Sequence, residues 1–509
     1  MKKSVLMIMC VALVMCPMTL WAAEKPYHFT YAYGAWDLAE GRIAPEDQPN
    51  DPFFQYVEKQ VGAAPLTYSW EWEGEKGYVQ GLRLHMASEG PLDAMRVRSL
   101  PLMKELIENK MVIPLDDLLQ EYMPEIFDEV PEAVWTLIRA HAPDGKIYYL
   151  PSAAADWFRV GHIRKDWLDR VGLEMPTTKE ELIAVYKAFR DQDANGNGDP
   201  NDEIPVSGRE GLRWADDLFF MHGAITFEGH PRWSWDAEKQ QMISHQVSPE
   251  MKATIEFLRY LVAEGLMDPT MPIQKSSDWS AKINAGTIGH WYHIPYAVNS
   301  KTAFLESEPN AEVALLPIMK VKGKPLQQYV DIPIMPDTPS FCISIKAQDP
   351  GKIMEWLKWG RSKEGEIFKR LGIPGVNWKE EDGKIVILKE AKGFKYLEQT
   401  VYRPVDLRIV EASTGGAIKR KLMEEGIAYF QAHGTVLPAD VGMSLSVYEG
   451  YSDYLPENAM LYREYASKIV LGTLPMEAWD EYVHKWNDEG GAEVTKRATE
   501  WYKQTYNIQ

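Results

Sequence analysis

Asp191, Asp193, Asn195, Asn197 and Asp199 place an oxygen-bearing side chain at every second residue of the stretch DQDANGNGDPNDEIP, and Asp202 and Glu203 follow. Gly196 and Gly198 stand between them. Such an alternation suits a hard divalent cation. Calcium takes about six to eight oxygen ligands at ~2.3–2.6 Å, and a loop that wraps it needs glycine where the backbone turns sharply. Two registers satisfy the pattern D-x-[DN]-x-[DN]-G. One starts at Asp191 and closes on Asp202; the other starts at Asp193 and closes on Glu203. Spacing alone leaves both open. The plainer alternative is an acidic surface turn, which Asn-Gly and Asp-Pro pairs favour.

A second group of residues could hold a sugar. A sugar ring has apolar faces rimmed with hydroxyls, so its cleft needs aromatic platforms and planar hydrogen-bonding groups on strand ends and loops. Tyr33 and Trp36 lie at the end of the alternating segment YHFTYAYGAWD. Asp156, Trp157 and Arg159 follow PDGKIYYLP, which reads as a turn and a short strand. Trp214 and Asp216 share RWADD, Trp291 and Tyr292 end GTIGHWYH, and Tyr402 and Arg403 sit in VYRPVD. Arg159 or Arg403 would suit a uronate carboxylate, against a surface salt bridge as the ordinary fate. For any one aromatic, core packing is the commoner role, and Trp356 and Trp359 of EWLKWG have the helical spacing that implies it.

Catalytic arrangements are weaker. A glycosidase needs two carboxylates about 5–9.5 Å apart across a cleft, and pairs such as Asp116/Asp117 and Asp216/Asp217 are unremarkable among 74 acidic residues. Asp116 and Asp117 open a helical stretch, where carboxylates favour the positive end of the dipole. His290 and His293 sit on a strand-like segment at a spacing that sends them to opposite faces, against a shared zinc. No G-x-S-x-G elbow, phosphate loop or dinucleotide fingerprint is present. Cys342 lies in the apolar run SFCISIK and reads as core. These residues point to a binding protein and not to an enzyme.

Elements of both kinds must position these residues. Before the acidic stretch, Thr178 and Glu181 form a capping box, and Leu182, Val185, Tyr186 and Phe189 share one face of the helix that follows. Strand-like and helical segments alternate up to about residue 150, helices dominate from 160 to 270, and strand signals return near AGTIGHWYH, AEVALLPI and SFCISIK. This is an α/β pattern with a largely parallel sheet. A chain of 509 residues is comfortable as two lobes, and the absence of a flexible linker suggests several crossings between them.

Charge and address narrow the class. The formal balance of −19 argues against nucleic acid and anionic membrane surfaces as partners. Lys2 and Lys3, the apolar run VLMIMCVALVMCPMTLW and the small pair before Glu24 form a signal peptide over 1–23, cleaved near Ala22 or Ala23. The protein is expected to be exported, with no later membrane span. Cys10 and Cys16 fall inside the signal, which leaves Cys342 without a disulfide partner. LVMC at 13–16 offers a lipid anchor on Cys16 as an alternative, although Met15 stands where a small residue is expected. In calcium-rich surroundings outside the cell, a weak site can serve as a permanent structural clip.

Taken together, NKMVIPLDDLLQEYMPEI, DGKIYYLPSA, HIRKDWLDRVGLEMPTTKEELIAVYKAFRDQDANGNGDPNDEIPVSG and EWLKWGRSKEGEIFKRLGIPGVNW resemble the family 1 extracellular solute-binding proteins. More narrowly, they are similar to the oligosaccharide- and alginate-binding branch, over about residues 28 to 500. The resemblance implies a type II periplasmic-binding-protein-like fold of two lobes joined by hinge crossings. One lobe would comprise 24–150 with about 275–345, and the other 151–274 with about 346–509. It also implies a monomer that captures an oligosaccharide, presents it to the permease subunits of an ABC importer, and carries a structural Ca2+. The family's loop, D-x-N-G-N-G-K-x-D-E-I-P, favours the Asp193 register, but this chain is one residue longer at DPN. The weak lipid-anchor signal favours a periplasmic over a cell-surface location. A secreted carbohydrate-active enzyme or a surface glycan-binding protein is the competing expectation.

Overall fold

The computed structural model describes residues 25–33, 43–70, 75–153, 159–295, 303–323, 328–330, 334–391, 396, 406–412, 415–456 and 458–508. In chain order the strands are β1 (Tyr27–Ala32), β2 (Ala63–Tyr68), β3 (Ala94–Met95), β4 (Leu150–Ala153), β5 (Val160–Arg164), β6 (Ile204–Val206), β7 (Thr226–Phe227), β8 (His230–Pro231), β9 (Trp233–Asp236), β10 (Gln241–Ser244), β11 (Ile288–His293), β12 (Val313–Leu316), β13 (Ile334–Ile343), β14 (Trp378–Glu381) and β15 (Lys384–Ile387). Two sheets organise the molecule, ordered β2-β1-β3-β13-β4 and β12-β5-β11-β6. In the first, β1, β2 and β3 run parallel and β13 enters antiparallel between β3 and β4. In the second, β6 and β11 are parallel, while β5 runs against both β11 and β12.

Each sheet has its own hydrophobic cluster, and the two clusters define two α/β lobes. The first gathers Phe29, Tyr31, Met95, Leu150 and Phe341 with Trp356. The second gathers Ile163, Trp167, Phe189, Trp279, Ile288 and, from the end of the chain, Trp479 and Trp486. Cluster membership corrects the expected lobe boundaries. Of the stretch 275–345, only β13 joins the first lobe; Trp279, β11 and β12 belong to the second, because β11 is bracketed by β5 and β6. Conversely, the helix Pro350–Gly360 stays with the first lobe: Trp356 packs edge-on against Phe29 at 5.2 Å and donates to the Tyr396 carbonyl at 2.9 Å. Among the described residues the chain passes between clusters three times, from Ala153 to Val160, from Val330 to Ile334, and from Tyr396 to Val410.

The segment 160–270 holds more strand than its pattern suggested. β5 and β6 are buried on both faces, so they lack the alternation that marks a half-buried strand, and β7 to β10 are short hairpins. Helices form where expected around them. Thr178 caps Lys179–Asp191, its side chain accepting from Glu181 N at 3.2 Å while Glu181 returns the bond to Thr178 N. Leu182, Val185, Tyr186 and Phe189 form the buried stripe of that helix.

Candidate functional site

The acidic loop runs from the end of the helix Lys179–Asp191 directly into β6, a helix–loop–strand arrangement. Gly196 and Gly198 take φ of 76° and 93°, the left-handed turns that the loop needs. Asp193 Oδ2 accepts from Gly198 N at 3.0 Å, and Glu203 Oε1 accepts from Asn195 N at 3.3 Å. Their other oxygens, Asp193 Oδ1 and Glu203 Oε2, are buried with no hydrogen-bond partner among the described residues. A desolvated carboxylate oxygen left in this way is costly unless a cation satisfies it. Asp202 is held between two amides, with Asn195 Nδ2 and Asn197 Nδ2 each 2.7 Å from one of its oxygens. Burial, reinforced by the charge of Asp202, raises the Glu203 carboxyl above its ordinary 4.5.

This geometry decides between the registers. Asp191 turns away to Arg190, whose guanidinium grips both carboxylate oxygens at 2.6 and 2.9 Å, so the Asp191 register and its first donor are withdrawn. The Asp199 side chain is spent on a local turn, accepting from Asn201 N at 3.1 Å. The remaining candidate donors are Asp193, Asn195, Asn197, Asp202 and Glu203, although Asn195 Oδ1 and Asn197 Oδ1 also accept in local turns, from Asn197 N at 2.9 Å and Asp199 N at 2.7 Å. Among the described residues no group of three or more His, Cys, Asp or Glu is placed to hold a metal ion, Asp193, Asp202 and Glu203 included.

A second site forms at one edge of the second sheet. β6 ends there into Ser207 and Gly208, β11 ends there at His293, and β5, paired antiparallel with β11, begins there after Arg159. Ligands of open α/β sheets bind outside the carboxyl ends of parallel strands. Arg159, 7% exposed, pairs with Glu228 and lies over two rings, 4.5 Å from the centroid of Phe227 and 5.4 Å from that of Trp214. The Trp214 ring lies 4.8 Å from His293 and 6.2 Å from Trp279. Its indole Nε1 is buried without a hydrogen-bond partner among the described residues. Leu212, Trp214 and Glu228 hold φ of 62°, 59° and 54°, left-handed values that cost non-glycine residues on the order of 1–3 kcal/mol each. Close contact forces the shape: a Cβ on Gly229 would meet Arg213 Cα at 2.5 Å, and one on Gly208 would meet Arg213 O at 2.4 Å.

This edge lies one short chain crossing from the sheet of the other lobe. β4 is parallel to β3, because both pair antiparallel with β13, so it leaves the first sheet at the carboxyl end. Seven residue steps separate Ala153 from Val160, which span at most about 25 Å when extended. The two carboxyl edges therefore lie within that reach.

The sequence-proposed sugar residues divide accordingly. Arg159 and Trp214 come together on the edge. Trp291 and Tyr292 do not: both are 2% exposed, Trp291 stacked on His162 at 5.3 Å and Tyr292 on Tyr329 at 6.3 Å, so their assignment as open platforms is corrected to core. Tyr33 is likewise core, edge-on to Tyr31 at 6.0 Å. Asp216 is fully buried beneath the edge. It accepts from Thr226 Oγ1 and Gly229 N, both at 2.7 Å, and so ties the β7–β8 hairpin; burial pushes its carboxyl up to about 6. Trp36, Asp156, Trp157, Tyr402 and Arg403, with the signal segment and Cys16, lie outside the described residues. Sequence reading missed Glu228, Phe227 and Trp279, and weighed His293 only as a zinc ligand; the turn FEGHP was the available signal for the first two.

The remaining chemical candidates have structural roles. His290 is buried in a chain, Nε2 2.8 Å from Asp217 Oδ2 and Nδ1 2.5 Å from Tyr186 Oη, with no open side for a substrate. His293 sits elsewhere, between Trp214 and Trp279, so the two histidines share no ligand. Asp116 opens the helix Asp116–Tyr122 and accepts from Ile147 N at 2.9 Å. Cys342 is buried, and burial pushes its thiol up to about 12.

Residues 65–367, more than half of the chain, match the bacterial extracellular solute-binding protein family, and the chain belongs to that family. The fructooligosaccharide ABC transporter substrate-binding protein FusA of Streptococcus pneumoniae is 29% identical over 266 residues, covering 49% of this chain and 46% of FusA. The polygalacturonan/rhamnogalacturonan-binding protein YtcQ of Bacillus subtilis is 23% identical over 365 residues, 67% of each chain. The chain thus spans about half the length of FusA in that match, and more of YtcQ. In structure, FusA in complex with kestose superposes with a TM-score of 0.67 at 20% identity, covering 95% of this chain and all of FusA. A FusA EF-hand mutant in complex with fructo-nystose also gives 0.67, at 19% identity over 95% of this chain and all of that one. The alginate-binding protein AlgQ2 without calcium ion gives 0.62 at 17% identity, covering 95% of this chain and 99% of that one. These likenesses establish the two-lobe solute-binding fold.

Proposed function

We propose that this chain is the exported substrate-binding component of an ABC importer, capturing an oligosaccharide between the facing carboxyl edges of its two sheets and leaving it chemically intact. The observation that carries this reading is the second-lobe edge: an indole with an unpartnered N–H, a guanidinium stacked on two rings, and a carboxylate, held by backbone in strained left-handed conformations. Rings supply platforms for the apolar sugar faces, and Arg159, Glu228 and the Trp214 N–H supply planar partners for hydroxyls. FusA and YtcQ, whose names describe saccharide-binding proteins, support the substrate class. Delivery to permease subunits, action as a monomer, and a periplasmic location after cleavage near Ala22 or Ala23 belong to the same proposal, with lipidation of Cys16 as the alternative anchor.

Calcium belongs to it as a structural clip. Asp193, Asn195, Asn197, Asp202 and Glu203 would hold the ion, which supplies the positive charge that the buried oxygens of Asp193 and Glu203 lack. The EF-hand named for FusA and the calcium named for AlgQ2 support that reading.

The test is a titration of tryptophan fluorescence with a panel of oligosaccharides, followed by chromatography of the recovered sugars. A saturable change with unaltered sugars is expected. Appearance of cleavage products would defeat the proposal in favour of a secreted carbohydrate-active enzyme.

A further inference from the structure

We propose that Trp70 is the first-lobe platform of the sugar site, stacking on the apolar face of a sugar ring while Trp214 serves from the second lobe. This rests on the oligosaccharide-capture reading above and supplies the part of the site that the first lobe contributes. Trp70 lies just past Tyr68, the last residue of β2. β1, β2 and β3 are parallel, so β2 ends on the same carboxyl edge from which β4 leaves for the second lobe. Ligands of open α/β sheets bind outside that edge. The residue is half-buried there. Trp135 of the same lobe, at 1% exposure, has no surface to offer a ligand; Trp70 has.

A cradle fixes the ring. The helix Glu75–Glu89 carries Tyr78, Gly81 and His85 at the spacing that places residues on one face. The Trp70 ring centroid lies 5.8 Å from that of Tyr78 and 5.6 Å from that of His85, at interplanar angles of 54° and 55°. Between these two stands Gly81, where a Cβ would meet Trp70 Cγ at 2.7 Å and Trp70 Cβ at 2.8 Å. Glycine inside a helix is unfavourable relative to alanine, and here its missing side chain is the room that the indole occupies. The helix closes one side of the ring, which leaves the exposed part of Trp70 on the side away from it. Tyr78 in turn donates its Oη to the Arg96 carbonyl at 2.5 Å, just past β3, and so fastens the cradle to the carboxyl edge. Trp214 is held in the same manner, its ring set beside His293 and Trp279. An indole seated in advance offers a wide apolar face and loses little conformational freedom when a sugar arrives.

The experiment is limited oxidation of the indoles by N-bromosuccinimide, mapped by peptide mass spectrometry, on the protein alone and with an oligosaccharide panel that includes kestose and trigalacturonate. Trp70 is expected to oxidise well ahead of Trp135 in the free protein, and to be protected several-fold once a sugar is bound. Trp70→Ala should weaken that sugar at least about tenfold while circular dichroism stays native. Trp70→Phe, which keeps a ring on the cradle, should weaken it less. Gly81→Ala leaves the indole in the chain but fills its seat, and should weaken the sugar as well. If Trp70 resists oxidation in the free protein as Trp135 does, its outer side is covered and the inference is overturned. If a sugar binds but neither protects Trp70 nor loses affinity in Trp70→Ala, the inference is overturned while oligosaccharide capture stands. Failure of every sugar in the panel to bind would remove the capture reading itself, and the platform with it.

Discussion

Neutralising Glu203 should have opposite effects with and without calcium. In the absence of the ion, Glu203 Oε2 is a buried oxygen with no hydrogen-bond partner among the described residues, and its carboxyl is already raised by burial. Glu203→Gln removes that buried charge and keeps the shape, so the calcium-free variant should melt at or slightly above wild type. With calcium the order reverses. If the site binds with a Kd of about 0.1 mM, at the tight end for extracellular modules, then ~10 mM calcium is about a 100-fold excess and stabilises by about 2.7 kcal/mol. For a lobe of this size, each kcal/mol moves Tm by about 2–4 °C, which gives about 5–10 °C. The loop and β6 belong to the second cluster, so only the transition of that lobe should move. Scanning calorimetry of wild type and variant, each in chelator and in calcium, reads all four values. A full calcium shift in Glu203→Gln, or none in wild type, would refute the assignment of the orphaned oxygens to a cation.

Other expectations follow from single contacts. Asp216 has its carboxyl raised from 3.8 to about 6 by burial, so the native state holds that proton more tightly than the unfolded chain. The stability it contributes is complete below about pH 4 and is lost as pH rises through about 6, on the order of 3 kcal/mol in all; Tm measured from pH 5 to 8 should fall in wild type and fall less in Asp216→Asn. Gly289→Ala would set a Cβ 2.6 Å from Phe189 and 2.9 Å from Trp167, between β11 and the helix Lys179–Asp191. It should destabilise by about 1–3 kcal/mol through overpacking, read by urea denaturation. Trp214→Ala should lower sugar affinity at least about tenfold while circular dichroism stays native; retained affinity would exclude Trp214 as a platform.

Much of this protein was legible in contiguous residues. The Thr178 capping box, the stripe from Leu182 to Phe189 and the glycine-punctuated loop that follows each depend on neighbours a few positions away, and each formed as its spacing implied. Register was harder. Asp191 and Asp193 are equivalent as letters; the family resemblance favoured Asp193, and the pairing of Asp191 with Arg190 agrees with it. Trp291 misled for a related reason: the end of a strand is open only if nothing covers it, and His162 and Phe304 cover this one.

From its residues alone the chain determined its acidic balance, its α/β class and the oxygen-rich loop, because each is a property of composition or of short-range spacing. Tertiary structure decided the rest. Arg159 meets Glu228 across 69 positions, and Trp214 meets Trp279 through a loop whose left-handed turns no residue preference announces. The lobes themselves were assigned by strand order: β13 enters between β3 and β4, and β11 between β5 and β6. Such pairings join distant segments through burial on both faces, and burial on both faces erases the alternation that would have marked them in the sequence.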